Sequence, residues 1–560
     1  MRFNLLSISF VGFLSFITTL FVLIMIFTNI NGSKSSENHE LFELSIIHIS
    51  DFHARFDETN EKSLPCSQND VCIGGYARMK KVVDYLKANR KNSIFLNAGD
   101  NFQGTFWYNL LRHNVTSYFL NLLPADAITL GNHEFAHRLA GLIPFLRDIT
   151  SPVVVANIDD HLEKDFQNLY KKSIVIERSG RKIGIIGVIM QETADIANTD
   201  KLIFTNEINA IDNECAKLRQ QGVNIIIVLS HCGLDRDIEI AQANGDYVDI
   251  IVGGHSHTFL YTAKNNLYPA SDIPTGPYPI IVTPKSSHDR KVLIVHAAAF
   301  TKYVGDLKVY FNSAGHMKYY DGNPIFLSNQ IEKDPDIEHE LIRWRDEVNR
   351  RGQRIVGSTN VSLMHRVCRH GECALGSFAA DAFVHETQIE YPDYKTYAAI
   401  IQAAGMRNSF PIGNIKYADI VAFMPFENTL DMLDLSGDTI YEVFEHSVSR
   451  SFVTTEFIGI HMLQISGFYV TFNTTMTVGN RVQSLRIKIS DAEYESVISS
   501  KYYTLIVPSF IANGGDGFTM IKQKKKNHRI GLLDIDIMEL YISRKSTVTH
   551  KIDGRIVMLT

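Results

Sequence analysis

The chain has 560 residues, with 61 acidic side chains against 55 basic ones for a formal charge of -6, and it is 45% hydrophobic and 21% charged. That length excludes a single small module and calls for at least two domains, each with its own core. The composition excludes a largely disordered chain and a protein whose main task is coating nucleic acid. Six cysteines are too few for a disulfide-built miniprotein, so any bridge is a local staple on a hydrophobic fold.

Residues 5–30 are mostly apolar and a polar run follows at 31–38, which predicts an export signal. Its length approaches the ~20 residues that span a bilayer, as an uncleaved anchor would, while Gly32 and Ser33 suit cleavage by a signal peptidase. Both outcomes place the remaining chain outside the cytosol, secreted or on the outer face of the plasma membrane. Sequons at Asn114, Asn360 and Asn473 fit that compartment. The last residues carry no long hydrophobic tail, so no lipid anchor of the GPI kind is expected.

From residue 44 to about 311, short apolar runs each end in a polar cluster. They lie at 44–49, 93–97, 127–130, 153–156, 183–188, 224–229 and 248–252, and amphipathic stretches at 77–88 and 206–220 alternate with them. The pattern predicts strands and helices of a layered α/β domain. Residues 329–351 are highly charged and lack an internal glycine before the end, which predicts a helix joining two domains. A second mixed region begins at 355, with helices near 375–386 and 439–448. The lysines between Lys522 and Lys526 read as a solvated loop, with polyanion binding as a lesser alternative.

The chemistry-bearing residues sit at the ends of the strand-like runs, where α/β sheets place their ligand groups. They are Asp51-Phe-His53, Gly99-Asp100, Gly131-Asn-His-Glu-Phe135, Ser230-His231 and Gly253-Gly-His-Ser-His257. Any one of them has a bland explanation as a turn, a cap or a surface histidine. Five in succession, each rich in oxygen or imidazole donors, point to a metal site. If residues 51–53 continue a strand, alternation puts Asp51 and His53 on one face. A carboxylate such as Asp100 can bridge two divalent ions, and neutral imidazoles suit zinc, manganese or iron.

In this order the motifs resemble those of the dimetal metallophosphoesterases, and with the second region they resemble the 5′-nucleotidase branch, which includes ecto-5′-nucleotidase and apyrases. The resemblance covers about 44–555. It implies a four-layer metallophosphoesterase domain at 43–328, a linker helix at 329–352 and an α/β nucleotide-binding domain at 353–556, behind the signal or anchor at 1–32. It implies two divalent metals, zinc first with manganese or cobalt as alternatives. Asp51, His53 and His257 match ligands of one ion, although ecto-5′-nucleotidase has an amide at the last position. Asn132, His231 and His255 match ligands of the other ion, Asp100 matches the bridge, and His133 matches the residue that stabilises the phosphoryl transition state. The family motif continues Gly-Asn-His-Glu-Phe-Asp, whereas this chain has Ala136. Loss of that carboxylate predicts slower turnover, with His137 expected to be a bystander.

In the second region, Cys368 and Cys373 flank Arg369 at a spacing that, in an exported protein, reads as a local disulfide. Cys66 and Cys72 match a family pair, and Cys215 and Cys232 have no assigned partner. Arg369, Arg407, Phe426, Phe510 and Asp516 match the positions that build a nucleoside pocket. Two rings suit the faces of a purine, Asp516 suits ribose hydroxyls, and the arginines suit phosphate oxygens. The loop at 401–405 departs from the family's Asn-Gly-Gly-Gly: Gln402 keeps an amide, while Ala403 and Ala404 add methyl groups that restrict backbone approach.

The resemblance implies an extracellular nucleotide phosphohydrolase that acts on AMP-like monophosphates. The alternatives are an apyrase acting on ATP and ADP, and a nucleotide-binding protein with little catalysis. Its partner is a small nucleotide, with no nucleic acid and no membrane beyond the N-terminal segment, and a homodimer is left open.

Overall fold

The computed structural model describes residues 41–559 except 62, 64–65, 67–69, 264–266, 288, 393–395, 427, 450–460 and 491–492. The predicted export segment lies outside the described residues. Among the described residues, no helix is long and apolar enough to cross a membrane.

The first half is two sheets packed face to face between layers of helices. One sheet runs in the order Met317–Gly322, Tyr303–Phe311, Phe42–Ile49, Ser93–Asn97 and Ala127–Ile128, with the short Ile325–Phe326 also on Tyr303–Phe311. The other runs Ile280–Val282, Val292–Val295, Ile250–Gly253, Ile225–His231, Arg181–Ile189 and Ser173–Arg178. Both faces of the central strands are covered, which explains why they read as continuous apolar runs. In the first strand Leu44 and Ile46 enter the core between the sheets, while Ile47 and Ile49 enter the core beneath the helices. Likewise Ile225, Ile227 and Leu229 face the opposite sheet, and Ile226 and Val228 face the helices Glu207–Gln220 and Leu234–Asn244.

The predicted strand at 153–156 does not form. Its backbone makes only isolated bridges, Ile128 to Val153 and Val154 to Lys171. The long strand Tyr303–Phe311 returns antiparallel to the first one, pairing Phe42 with Phe311.

The predicted linker is the helix Pro335–Gly352. Asp334 caps it, accepting from the N–H groups of Asp336 and Ile337, and proline fits the first turn because no donor is needed there. Ile337, Leu341 and Val348 share one face and join the core beneath the helices of the first half, with Trp344 beside them on Tyr118. The second half has a sheet in the order Leu463–Ser466, Ala398–Gln402, Tyr502–Pro508, Leu430–Ser436 and Lys526–Arg529. The helices Ala374–Glu390 and Gly437–Ser447 realise the two predicted there. The lysine cluster is a short helix, Thr519–Lys524, running into an edge strand rather than a loop, and most of its lysines are exposed.

Candidate metal centre

The parallel strands Phe42–Ile49, Ser93–Asn97, Arg181–Ile189, Ile225–His231 and Ile250–Gly253 bring their C-terminal ends to one edge of the two sheets. The residues beyond those ends turn back sharply. Asp51, His53, Asp100, His255 and His257 all have positive φ, between 48° and 75°. Left-handed backbone costs a non-glycine residue about 1–3 kcal/mol and survives where its surroundings fix it. This corrects the expectation from strand alternation: the first strand ends at Ile49, and two left-handed turns, not strand pleat, aim Asp51 and His53 together. Glycines let these loops touch. A Cβ at Gly99 would come within 2.7 Å of the Gly131 nitrogen, and one at Gly131 would overlap the Asp100 carboxylate.

All seven sequence-predicted ligands gather here. Donor atoms of Asp51, His53 and His257 lie within 4.8 Å of one another, and so do those of Asp100, His231 and His255. Asn132 joins the second group, its Oδ1 2.9 Å from His255 Nδ1. Asp100 stands between the groups, with Oδ2 3.1 Å from His231 Nε2 and 3.7 Å from His53 Nε2. His53 Nε2 is 3.1 Å from His257 Nε2, which is 3.4 Å from Asp51 Oδ1.

The residues fit divalent ions. Asp51 Oδ2 is buried and makes no hydrogen bond, although a buried polar atom without a partner is costly, and the buried His231 Nε2 meets only a charged donor atom of the same centre, Asp100 Oδ2 at 3.1 Å. Each belongs to one of the donor groups. The other nitrogen of His231 is fixed by the Ala98 carbonyl at 2.6 Å, which aims Nε2 at the centre. Burial by itself would raise Asp100, but the imidazoles of His231 and His133 hold its carboxyl well below the usual range. Burial opposes protonation of His231 too, and the Asp100 charge overrides it and holds the ring at about 10. Burial, then the His231 charge, brings His255 down to about 4.

Two supports were not assigned from sequence. Glu134 is fully buried and accepts from the backbone of Gly131 at 2.7 Å, Asp100 at 3.0 Å and Asn101 at 2.6 Å, locking the two motif loops together. Burial, then the Asp100 charge, pushes its carboxyl up to about 7. Phe300, also left-handed at φ 61°, packs its ring 4.9 Å from His257 and 5.4 Å from His53, and carries Arg55 on its face at 4.9 Å. Glu134 lies inside the Gly131–Phe135 motif; nothing in the sequence near Phe300 marks it.

A cleft of about 1020 Å³ leads from His53, His133 and His257 to Arg407 and Phe426 in the second half. Phe426 and Phe510 are 49% and 47% exposed, unlike the core phenylalanines near zero, so neither is ordinary core. Arg407 stacks on Phe426 at 5.6 Å. Asn428 Oδ1 accepts from the Phe510 backbone at 3.1 Å and so ties the two aromatic loops. Asp516 is left-handed at φ 51°, and its carbonyl meets His446 Nε2 at 2.9 Å. Partial burial and then the charges of Arg366, Arg369 and Arg407 depress His365, so those arginines share one neighbourhood. Arg369, Gln402, Phe510 and Asp516 do not line this cleft. Gln402 is 3% exposed and its Oε1 has no hydrogen-bond partner.

Both predicted disulfides are formed, Cys66 to Cys72 and Cys368 to Cys373. Gln464, fully buried, braces the second by donating to the carbonyls of Cys368 at 3.0 Å and Gly371 at 2.7 Å and accepting from the Cys373 N–H at 3.0 Å. Cys215 and Cys232 are buried free thiols. Burial pushes the first up to about 12 and the second well above its usual value, so both are inert.

A layered α/β domain whose strand ends converge on two adjoining clusters of carboxylate, amide and imidazole donors defines a metallophosphoesterase. The family model for calcineurin-like phosphoesterases matches residues 44–259, and that for the 5′-nucleotidase C-terminal domain matches residues 355–523. The chain is 44% identical to a protein named apyrase from Tabanus yao, over 92% of this chain and 93% of that one. It is 36% identical to a 5′-nucleotidase from Bos taurus, over 92% and 91%. Among solved structures, a 5′-nucleotidase precursor from Thermus thermophilus shares 31% identity with a TM-score of 0.60 over 92% of this chain and 99% of that one. The Haemophilus influenzae NAD nucleotidase shares the fold with a TM-score of 0.74 at 24% identity, over 93% and 100%. The chain belongs to the family of 5′-nucleotidases and apyrases and is a phosphoric ester hydrolase.

Proposed function

We propose that the protein is a two-metal phosphohydrolase that removes the terminal phosphate of extracellular 5′-nucleotides. The observation that carries this reading is the single cleft that joins the His53, His133 and His257 edge of the donor clusters to Arg407 and the half-exposed Phe426. Asp51, His53 and His257 would hold one ion and Asn132, His231 and His255 the other, with Asp100 shared between them. Zinc suits a site with four imidazoles, and manganese or cobalt are the alternatives. Bound divalent ions supply Lewis acidity and make a water nucleophilic near neutral pH.

The chain's own residues do the rest. His133, at the cleft wall, contacts the phosphoryl oxygens as charge spreads onto them. Phe426 and Phe510 hold the base, Asp516 the ribose, and Arg369 and Arg407 the remaining phosphate oxygens. Gln402, whose amide lies against Gly405, is the remaining substrate contact of this reading. The division is a catalytic domain at 43–328, a linker at 329–352 and a substrate domain at 353–556.

The choice of phosphate number has two readings. The pocket residues favour AMP-like monophosphates. The greater identity to proteins named apyrase favours ADP and ATP. Phosphate release from AMP, ADP, ATP and UDP-glucose with defined metals decides between them, and release from none would overturn the proposal in favour of a binding protein. Export is supported by two formed disulfides, since such bridges persist in oxidising compartments. Asn114 and Asn360 are exposed and suited to glycans.

A further inference from the structure

His133 is held by two hydrogen bonds and by the edge-on ring of His53, with centroids 4.9 Å apart. Its backbone N–H donates to Asp100 Oδ1 at 2.9 Å, and its Nδ1 meets Gln103 Oε1 at 2.7 Å. It belongs to the 3₁₀ turn Asn132–Phe135, and the Ala136 N–H continues that turn by donating to the His133 carbonyl at 3.1 Å. Residues three apart eclipse each other in such a turn, which puts position 136 on the same face of the turn as His133. The methyl of Ala136 offers it no acceptor. His137 faces elsewhere: its Nε2 meets Arg112, and its ring stacks on Tyr108 with centroids 5.7 Å apart.

Gln103 is held firmly for this task. It is 4% exposed and left-handed at φ 57°, an unfavourable backbone for glutamine that its surroundings maintain. The next residue, Gly104 at φ 115°, presses against His53, where an added Cβ would come within 2.8 Å of the His53 Cβ. The loop therefore has little freedom to withdraw the amide from His133.

We propose that Gln103 is the positioning residue of His133: its amide oxygen accepts a hydrogen bond from Nδ1–H and fixes the ring plane, so that in the imidazolium Nε2–H is aimed to donate to the phosphoryl oxygens. A neutral amide thereby takes the place of the carboxylate that Ala136 does not supply. The inference rests on the role given to His133 above.

The test is a set of variants assayed for kcat, KM and metal content on the metal-loaded full chain. Gln103→Met keeps the volume and removes the acceptor, and Gln103→Glu keeps an acceptor. Loss of a group that orients a working side chain costs roughly 10–100-fold, so Gln103→Met should lose that factor in kcat with KM and metal content unchanged. Gln103→Glu should retain turnover. Ala136→Asp should change the parent protein by less than about threefold yet restore at least about tenfold to Gln103→Met, because two supports for one ring are not additive. A loss that neither Gln103→Glu nor Ala136→Asp repairs would overturn the proposal in favour of a packing role. So would full turnover in Gln103→Met when His133→Ala has lost it. Turnover that survives His133→Ala would overturn the role of His133 itself, a separate failure.

Discussion

Truncating Phe426 or Phe510 to alanine separates nucleotide recognition from phosphate chemistry. A buried phenylalanine costs about 3–5 kcal/mol on truncation, but these rings are 49% and 47% exposed, so roughly half or less of that penalty applies and the fold should survive. A base stacked on one ring gains about 1–3 kcal/mol, which corresponds to about 5–150-fold in affinity. Phe426→Ala also frees the Arg407 guanidinium, which sits 5.6 Å from the ring centroid and gains about 0.5–1 kcal/mol at an exposed site. Its effect should therefore be the larger of the two. Steady-state kinetics on a nucleotide and on a small aryl phosphate provide the assay. The nucleotide KM should rise about 5–150-fold, while kcat/KM for the aryl phosphate stays within about threefold. Equal losses on both substrates, with a lowered thermal midpoint, would refute the reasoning and make these rings core.

Asp100→Asn should lower turnover by at least about 100-fold and reduce bound metal, because Oδ2 alone reaches both His231 and His53. Nucleotide binding should be nearly unchanged, and near-normal turnover in a metal-loaded variant would count against the bridge. Replacing Cys368 and Cys373 together by serine frees the loop that carries Arg369, and ordering one such side chain costs about 0.5–1.5 kcal/mol. The nucleotide KM should rise about 2- to 10-fold with metal content unchanged, and an unchanged KM would remove Arg369 from the pocket. Burial, then the His296 charge, brings His48 from its ordinary 6.5 down to about 3, so the folded state keeps it neutral while the unfolded state protonates it. That contribution to stability is complete above pH 6.5 and is lost as pH falls, by up to about 1.4 kcal/mol per unit. Urea midpoints between about pH 5 and 7.5 should slope less steeply in His48→Gln, and an identical slope would show that His48 does not stay neutral.

The centre was legible because each ligand follows an apolar run, and runs buried on both faces are conspicuous in sequence. What escaped is non-local or conformational. The return strand Tyr303–Phe311 pairs with Phe42–Ile49 across more than half the length of the first region, and local periodicity carries no trace of such pairing. Residues 153–156 look like a strand, but only isolated bridges form there, so apolar content alone did not decide the structure. The left-handed turns at Asp51, His53 and Asp100 are invisible because these residue types do not declare φ as glycine does. Gln103 sits thirty positions from His133, and a glutamine attracts notice only when its partner is seen. In the second half, Asn428 and Gln464 act by tying loops together, a role set by burial that no motif announces.

In the proposed mechanism, phosphate release from nucleotides requires two divalent ions, one at the Asp51, His53 and His257 group and one at the Asn132, His231 and His255 group, with Asp100 between them. The direct measurement is phosphate release from AMP, ADP and ATP by protein stripped with a chelator and titrated with zinc or manganese, with metal content determined at each point. The stripped protein should release none, and release should be full as occupancy reaches two ions per chain. Release that continues without metal, or that saturates at one ion per chain, would contradict this mechanism.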